Sequence, residues 1–394
     1  MAPTRTTGDR RRVVAAALVG VLTIAACSSG DSPGANGADT AGESSLGGGA
    51  TTVEDAASVP AGEWATADPA EVGLDEQALD RIADTAEATD STCLSVVRDG
   101  TMAYRQTFGD TDPDEPAEVF SVTKSFASTL VGIAADDGDL DPGQPASDFL
   151  PDWAGTASAD VTIEDLVQND SGRFWSPASD YVQLVRASDR TRYAIDLDQA
   201  DPPNTIWRYN NAAIQTLSEV IEAATGQRAD DFGTERLLEP LGMANSSFTT
   251  DPAGNTLTFM GLHSTCDDLA RFGLLFARNG RWGDEQLVSA DWVRAATTPG
   301  DLNPAYGYLW WLQTDETFTG PLTDETTGHF PGAPADTFAA QGLGGQIVVV
   351  VPSEGLVITR MAAATTNNPT GDGFTDSLPA EVVAALSEPA STGD

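Results

Sequence analysis

Residues 121–138 read SVTKSFASTLVGIAADDG, and this pattern predicts a helix with Ser121 in its first turn and Gly138 just past its end. Lys124 is the only lysine of the chain; the rest of its 20 Lys and Arg residues are arginine. Residues three apart share a helix face, so Ser121 and Lys124 point to one spot. The geometry suits a nucleophile and its base. Arginine stays protonated and could not accept the proton, whereas a lysine amine lowers its pKa readily when desolvated or placed near other cations. Backbone N–H groups at the helix start favour negative charge developing at the serine. Ser-x-x-Lys alone is a weak pattern, and an exposed helix with one ordinary lysine would share it.

Two later motifs add weight. In WRYNN, residues 207–211, Tyr209 and Asn211 form Tyr-x-Asn: a phenol near a cation can carry a proton, and a carboxamide can orient the lysine or a substrate amide. In AAQGLGGQIVVVV, residues 339–351, glycine-rich sequence enters a strand, where the missing side chains allow backbone to approach a ligand closely. A simple turn before an edge strand would look the same. His329, in GHFPGAPADTF, either lines the cleft or sits on a surface loop, and His263 packs at a helix start. Tyr181, Trp310 and Trp311 either shape an acyl or leaving-group pocket or belong to the core.

The 394 residues carry a formal net charge of -40 and are 40% hydrophobic. That is enough apolar content for a real core. The charge repels nucleic acid and reads as a well-solvated surface. Three cysteines and two histidines give no cluster with metal-ligand spacing, so no metal is expected.

Residues 1–26 combine the basic MAPTRTTGDRRR with the apolar VVAAALVGVLTIAA and lead to Cys27. This reads as a lipoprotein signal peptide, with acylation of Cys27 anchoring the protein outside the membrane; a plain secretory signal with an incidental cysteine is the alternative. Residues 27–60, rich in Gly, Ser, Ala, Asp and Thr, read as a disordered tether. GDSPG around Ser32 matches the nucleophile-elbow pattern, but a tether supplies neither the strand nor the helix that an elbow needs. An exported chain can hold a disulfide, so Cys93 and Cys266 either pair or remain buried thiols.

The body, residues 61–390, opens with helical spacing in DEQALDRIADTAEA (75–88). CLSVVRDGTMAYRQTFG (93–109) is two short apolar runs split by Asp99-Gly100, a hairpin signal. Near the end, residues 345–361 give strand, turn and strand, and SLPAEVVAALSE gives a closing helix. The middle is mostly helical. The expected fold is α+β: an antiparallel sheet assembled from both ends of the chain and flanked by its terminal helices, with a large helical insertion between.

The ordered set VFSVTKSFASTLVGIAADDGDLD, TIEDLVQNDSG, WRYNNAAIQTLSEVIEAATG, LLEPLGM, GLHSTCDDLARFGLLFARNGRW, YGYLWWL and GGQIVVVVPSEGLVITRM resembles the serine β-lactamase and penicillin-binding-protein superfamily. Within it, the chain is most similar to the class C β-lactamase-related branch of esterases and 6-aminohexanoate-dimer-type hydrolases. The resemblance covers about residues 64–385. It implies a β-lactamase-like fold with the active site in the groove between the sheet and an all-helical region, and no cofactor. Carried over, it makes Ser121 the acylated nucleophile and Lys124 the acceptor of its proton. Tyr209 would share the proton transfer and help activate the deacylating water, and Asn211 would position substrate or Lys124. Ala340-Gln341-Gly342 aligns with the third motif, so the oxyanion hole would be the backbone N–H groups of Ser121 and Leu343.

Two positions depart from the family pattern. Penicillin-recognising members begin the third motif with Lys or His, and here no cation is available to hold a β-lactam carboxylate. Position 169 is Asn where an apolar residue is common. The expected function is therefore an extracytoplasmic serine hydrolase acting through an acyl-enzyme on small esters or amides. The rivals are a β-lactamase or D-alanyl carboxypeptidase, and a non-catalytic surface lipoprotein.

Overall fold

The computed structural model describes residues 62–322, 325–363 and 373–387. The signal segment, Cys27, Ser32 and the tether up to residue 60 lie outside the described residues.

Six strands form the main sheet: β1 (Ser91–Arg98), β2 (Thr101–Thr107), β3 (Trp311–Leu312), β4 (Phe338–Gly342), β5 (Gln346–Val351) and β6 (Leu356–Ala362). Their order is β2-β1-β6-β5-β4-β3, with antiparallel pairing throughout. Both ends of the chain thus build one sheet, as the sequence predicts. The first hairpin turns on Asp99 (φ 50°) and Gly100 (φ 84°) between paired Arg98 and Thr101; two successive positive φ values give the turn that matches strand twist.

Every residue of β5 and β6 is buried, which requires cover on both faces of the sheet. The covering helices are α1 (Glu76–Ala88), α3 (Cys266–Ala277) and α4 (Phe374–Ala384). On α3, a Cβ at Gly273 would lie 2.4 Å from Val357 Cγ1 and 2.8 Å from Val348 Cγ1, so glycine is what lets the helix press onto the sheet. The expected helical insertion is present between β2 and β3, but α3 is not part of its bundle. It lies on the sheet, tied to β1 by a disulfide between Cys93 and Cys266.

Within the insertion, α2 (Thr123–Asp137) is buried from Thr123 to Ala134 and ends on Gly138 at φ 81°. It runs through the core rather than over the surface. Phe126 stacks on Phe272 of α3 at 3.7 Å between ring centroids, which joins the helical region to the sheet layer behind the Ser121 turn.

Candidate active site

Ser121 sits in a single 3₁₀ turn, Phe120–Val122, that feeds α2. The turn is held in a conformation that its sequence alone would not favour: Phe120, a bulky residue, has φ 48°. Three hydrogen bonds secure it. Thr123 Oγ1 donates to the Phe120 carbonyl (2.6 Å), the Leu262 N–H donates to Thr123 Oγ1 (3.0 Å), and the Val119 N–H donates to the Leu262 carbonyl (2.9 Å). The segment around Leu262 therefore acts as a second layer behind the serine.

Lys124 is 1% exposed. Its Nζ lies 2.8 Å from Ser121 Oγ and donates to the Phe259 carbonyl at 2.7 Å. No carboxylate is hydrogen-bonded to it among the described residues. Burial pushes its pKa down to about 7, partly opposed by the charge of Asp180, so a large fraction is neutral amine near neutral pH. Tyr209 stands beside this pair: Nζ lies 4.8 Å from its ring centroid, and Ser121 is near enough to its phenol to lower the pKa that burial raises. Burial holds the phenol well above its usual range, so it is a protonated donor and not a resident phenolate. The three residues predicted from sequence thus meet at one point.

Asn211 reaches Lys124 only indirectly, through Asp180. Its Nδ2 donates to Asp180 Oδ2 at 2.8 Å, and it has no hydrogen bond to Lys124. Asp180, 1% exposed, also accepts from the backbone N–H groups of Asn211 (3.2 Å) and Ala212 (3.0 Å). Burial raises its pKa to about 6, and those N–H groups and Lys124 oppose the rise. Near neutral pH it is a buried carboxylate that fixes the start of helix Asn211–Gln215 and supports the Lys124 charge. Sequence reading missed it, since one aspartate among 60 acidic residues gives no sign of burial.

Asn169 now has a physical account. It caps helix Ile163–Gln168 at φ 65°, a conformation that asparagine tolerates and β-branched or bulky apolar residues do not. Its Oδ1 accepts from the Asn210 N–H at 3.1 Å. Tyr306, Trp207, Tyr209 and Trp311 form one aromatic cluster, with Trp311 stacked on Tyr209 at 5.8 Å.

Neighbouring Asp170 is 4% exposed, and its Oδ1 has no hydrogen-bond partner. Burial, with the charge of Asp165, raises its pKa to about 7. A carboxyl whose pKa is raised on folding leaves stability intact below the unfolded pKa of about 4 and lowers it as pH rises through the folded value. Asp170→Asn is accordingly expected to raise the melting temperature at pH 8 and leave it unchanged at pH 4, as read by circular dichroism.

The third motif lies beside the serine turn. A Cβ at Gly342 would stand 2.2 Å from the Val119 carbonyl oxygen, so glycine is what brings β4 against the segment just before Ser121. Gln341 and Gly342 are half-buried, and Leu343, in the hairpin to β5, is 44% exposed. Ala340 is fully buried. His329 is inside rather than on the surface: its Nδ1 is 3.0 Å from the Leu312 carbonyl, and its ring faces Trp311. Burial lowers its pKa, so it supplies no cation in place of the missing one.

Trp310 belongs to the core, among Phe272, Phe276 and Phe338, while Trp311 backs the site. Tyr181, next to Asp180, donates from its hydroxyl to the Pro321 carbonyl at 3.4 Å. His263 lies in a two-residue strand opposite Glu118, three residues before α3. Among the described residues, no group of His, Cys, Asp and Glu could hold a metal ion, and no helix is long and apolar enough to cross a membrane.

Comparison with known proteins identifies relatives and the shared fold. The chain is 26% identical over 329 residues to a 6-aminohexanoate-dimer hydrolase of Paenarthrobacter ureafaciens, covering 75% of this chain and 80% of that one. A penicillin-binding protein homologue from Caulobacter crescentus superposes with a TM-score of 0.61 at 17% identity, over 82% of this chain and 99% of the other. A family VIII carboxylesterase gives a TM-score of 0.62 at 16% identity with the same coverage. At such identities the two structures establish a shared fold. The sequence profile of the Beta-lactamase family matches residues 79–376, most of the chain, and the protein belongs to that family of serine hydrolases and penicillin-binding proteins.

Proposed function

We propose that the protein hydrolyses small esters or amides through a covalent acyl-enzyme on Ser121. The observation that carries this reading is the buried Lys124 amine, 2.8 Å from Ser121 Oγ and with a pKa near 7. Neutral Lys124 takes the hydroxyl proton as Ser121 Oγ attacks the substrate carbonyl. The oxyanion is held by the N–H groups of Ser121 and Leu343. Tyr209 gives its phenolic proton to the leaving group and regains one from the Lys124 ammonium. Water then attacks the ester, with the proton passing back through the same pair, and Ser121 is released. Asn211 and Asp180 position this machinery from behind.

The pH dependence follows from Lys124. Its protonated form cannot act as base, so kcat/KM for a non-ionising ester should rise with pH through a limb near 7, about tenfold per unit well below it. Asp180 raises the Lys124 pKa. Asp180→Asn is therefore expected to move that limb to lower pH, whereas mere loss of folded protein would lower the profile without shifting it.

The test sets a p-nitrophenyl ester beside a chromogenic cephalosporin, with Ser121→Ala as control. Ester turnover that is lost in the variant supports the esterase or amidase reading. Cephalosporin turnover dependent on Ser121 would favour the β-lactamase rival, against which stand buried Ala340 and the lowered pKa of His329. A non-catalytic protein would turn over neither. Export with acylation of Cys27 belongs to the same proposal. The Cys93–Cys266 disulfide supports an oxidising compartment, and metabolic labelling with a fatty acid, lost in Cys27→Ala, tests the anchor.

A further inference from the structure

Gln341 carries information about the substrate, because His329 fixes which way its carboxamide faces. The Leu312 carbonyl can only accept, so His329 Nδ1, 3.0 Å away, carries the proton. In the neutral ring Nε2 is then an acceptor. Its neighbour at 3.4 Å is the Gln341 amide nitrogen, the one end of that side chain able to donate. Asp376 Oδ1, 3.6 Å from Nε2, cannot donate when ionised. The imidazole itself is locked between Phe330, stacked at 3.9 Å, and the edges of Trp311 and Phe318. With its nitrogen committed, half-buried Gln341 has its carbonyl Oε1 left over, and among the described residues Oε1 accepts no hydrogen bond and is not buried.

Its location ties it to one side of the reaction. Gln341 precedes Gly342, whose backbone abuts Val119 beside the serine turn. Through His329 and Trp311 it is also continuous with the Tyr209 wall. Tyr209 is the proton donor to the leaving group in the hydrolase reading, on which this inference rests.

We propose that Gln341 is a specificity-determining residue: held by His329, it presents Oε1 as an acceptor to the leaving-group side of the cleft, so that leaving groups bearing an amide N–H are favoured. Ala340 stands at the position that begins the motif with a cation in penicillin-recognising relatives, and its neighbour Gln341 supplies an acceptor for a hydrogen-bond donor instead. His329 is a positioning residue that acts through Gln341.

The experiment compares the butanoyl esters of N-acetylethanolamine and N-acetyl-N-methylethanolamine by pH-stat, with p-nitrophenyl butanoate as reference. Both esters give the same acyl-enzyme, so their kcat/KM ratio reads only the leaving-group contact. A neutral hydrogen bond predicts an N–H over N-methyl preference of about 3- to 10-fold. It should fall to about one in Gln341→Met and decrease in His329→Phe, whereas a smaller folded fraction lowers both rates alike and leaves the ratio unmoved. A wild-type ratio of one, or a preference that survives in Gln341→Met, overturns the proposal even where p-nitrophenyl butanoate is hydrolysed through Ser121. Failure to hydrolyse that reference ester overturns the hydrolase reading itself.

Discussion

Lys124→Arg is expected to lower kcat/KM toward a p-nitrophenyl ester by about 10³-fold or more, at every pH between 6 and 9. The guanidinium keeps a positive charge at the site but holds its proton throughout that range, so charge is retained while the base is lost. In the proposed mechanism wild-type Lys124, with burial lowering its pKa to about 7, takes the Ser121 proton without a carboxylate hydrogen-bonded to it. Because the side chain is 1% exposed, the larger arginine also strains its surroundings. Lys124→Met, close in length and uncharged, separates the two effects: it should melt near the wild-type temperature and be equally inactive. Normal turnover in either variant would remove Lys124 from the mechanism.

Removal of the Cys93–Cys266 bond, by Cys93→Ala with Cys266→Ala, is expected to cost about 2–5 kcal/mol, because it closes a loop of 173 residues. For a body of this size that corresponds to a fall in melting temperature of about 3–7 °C. The bond joins β1 to the first residue of α3, and α3 follows directly on the segment that carries the Phe259 carbonyl and Leu262. The pair therefore anchors to the sheet the layer that holds Lys124 and the Phe120 turn. The double variant should lose activity at a lower temperature than it loses sheet structure, as followed by far-UV circular dichroism. Coincident loss at the wild-type temperature would mean that the bond carries no stability.

Local signals in the sequence were sufficient for the parts of the fold that local chemistry dictates. Asp99-Gly100 specified a two-residue hairpin because few other pairs adopt two positive φ values, and Gly138 marked the end of α2 for a related reason. The Ser121–Lys124 spacing was readable because a helix turns i and i+3 to one side. Tertiary placement was not. Trp310 and Trp311 are adjacent, the first just before β3 and the second opening it, but only the assembled sheet shows that Trp311 backs Tyr209 and Trp310 enters the core. Asp180, Asn169 and the location of His329 depend on burial contributed by segments distant in sequence, which no local pattern encodes. The role of α3 as a sheet-covering helix was hidden for the same reason.

The central claim is that Ser121 becomes covalently acylated, and the most direct measurement is intact-mass and peptide-mapping mass spectrometry after reaction with a fluorophosphonate probe. The predicted result is a single adduct on the peptide containing Ser121, its rate following the pH limb near 7 and lost in Ser121→Ala and Lys124→Met. No adduct, or an adduct on another residue with equal labelling of Ser121→Ala, would contradict the account.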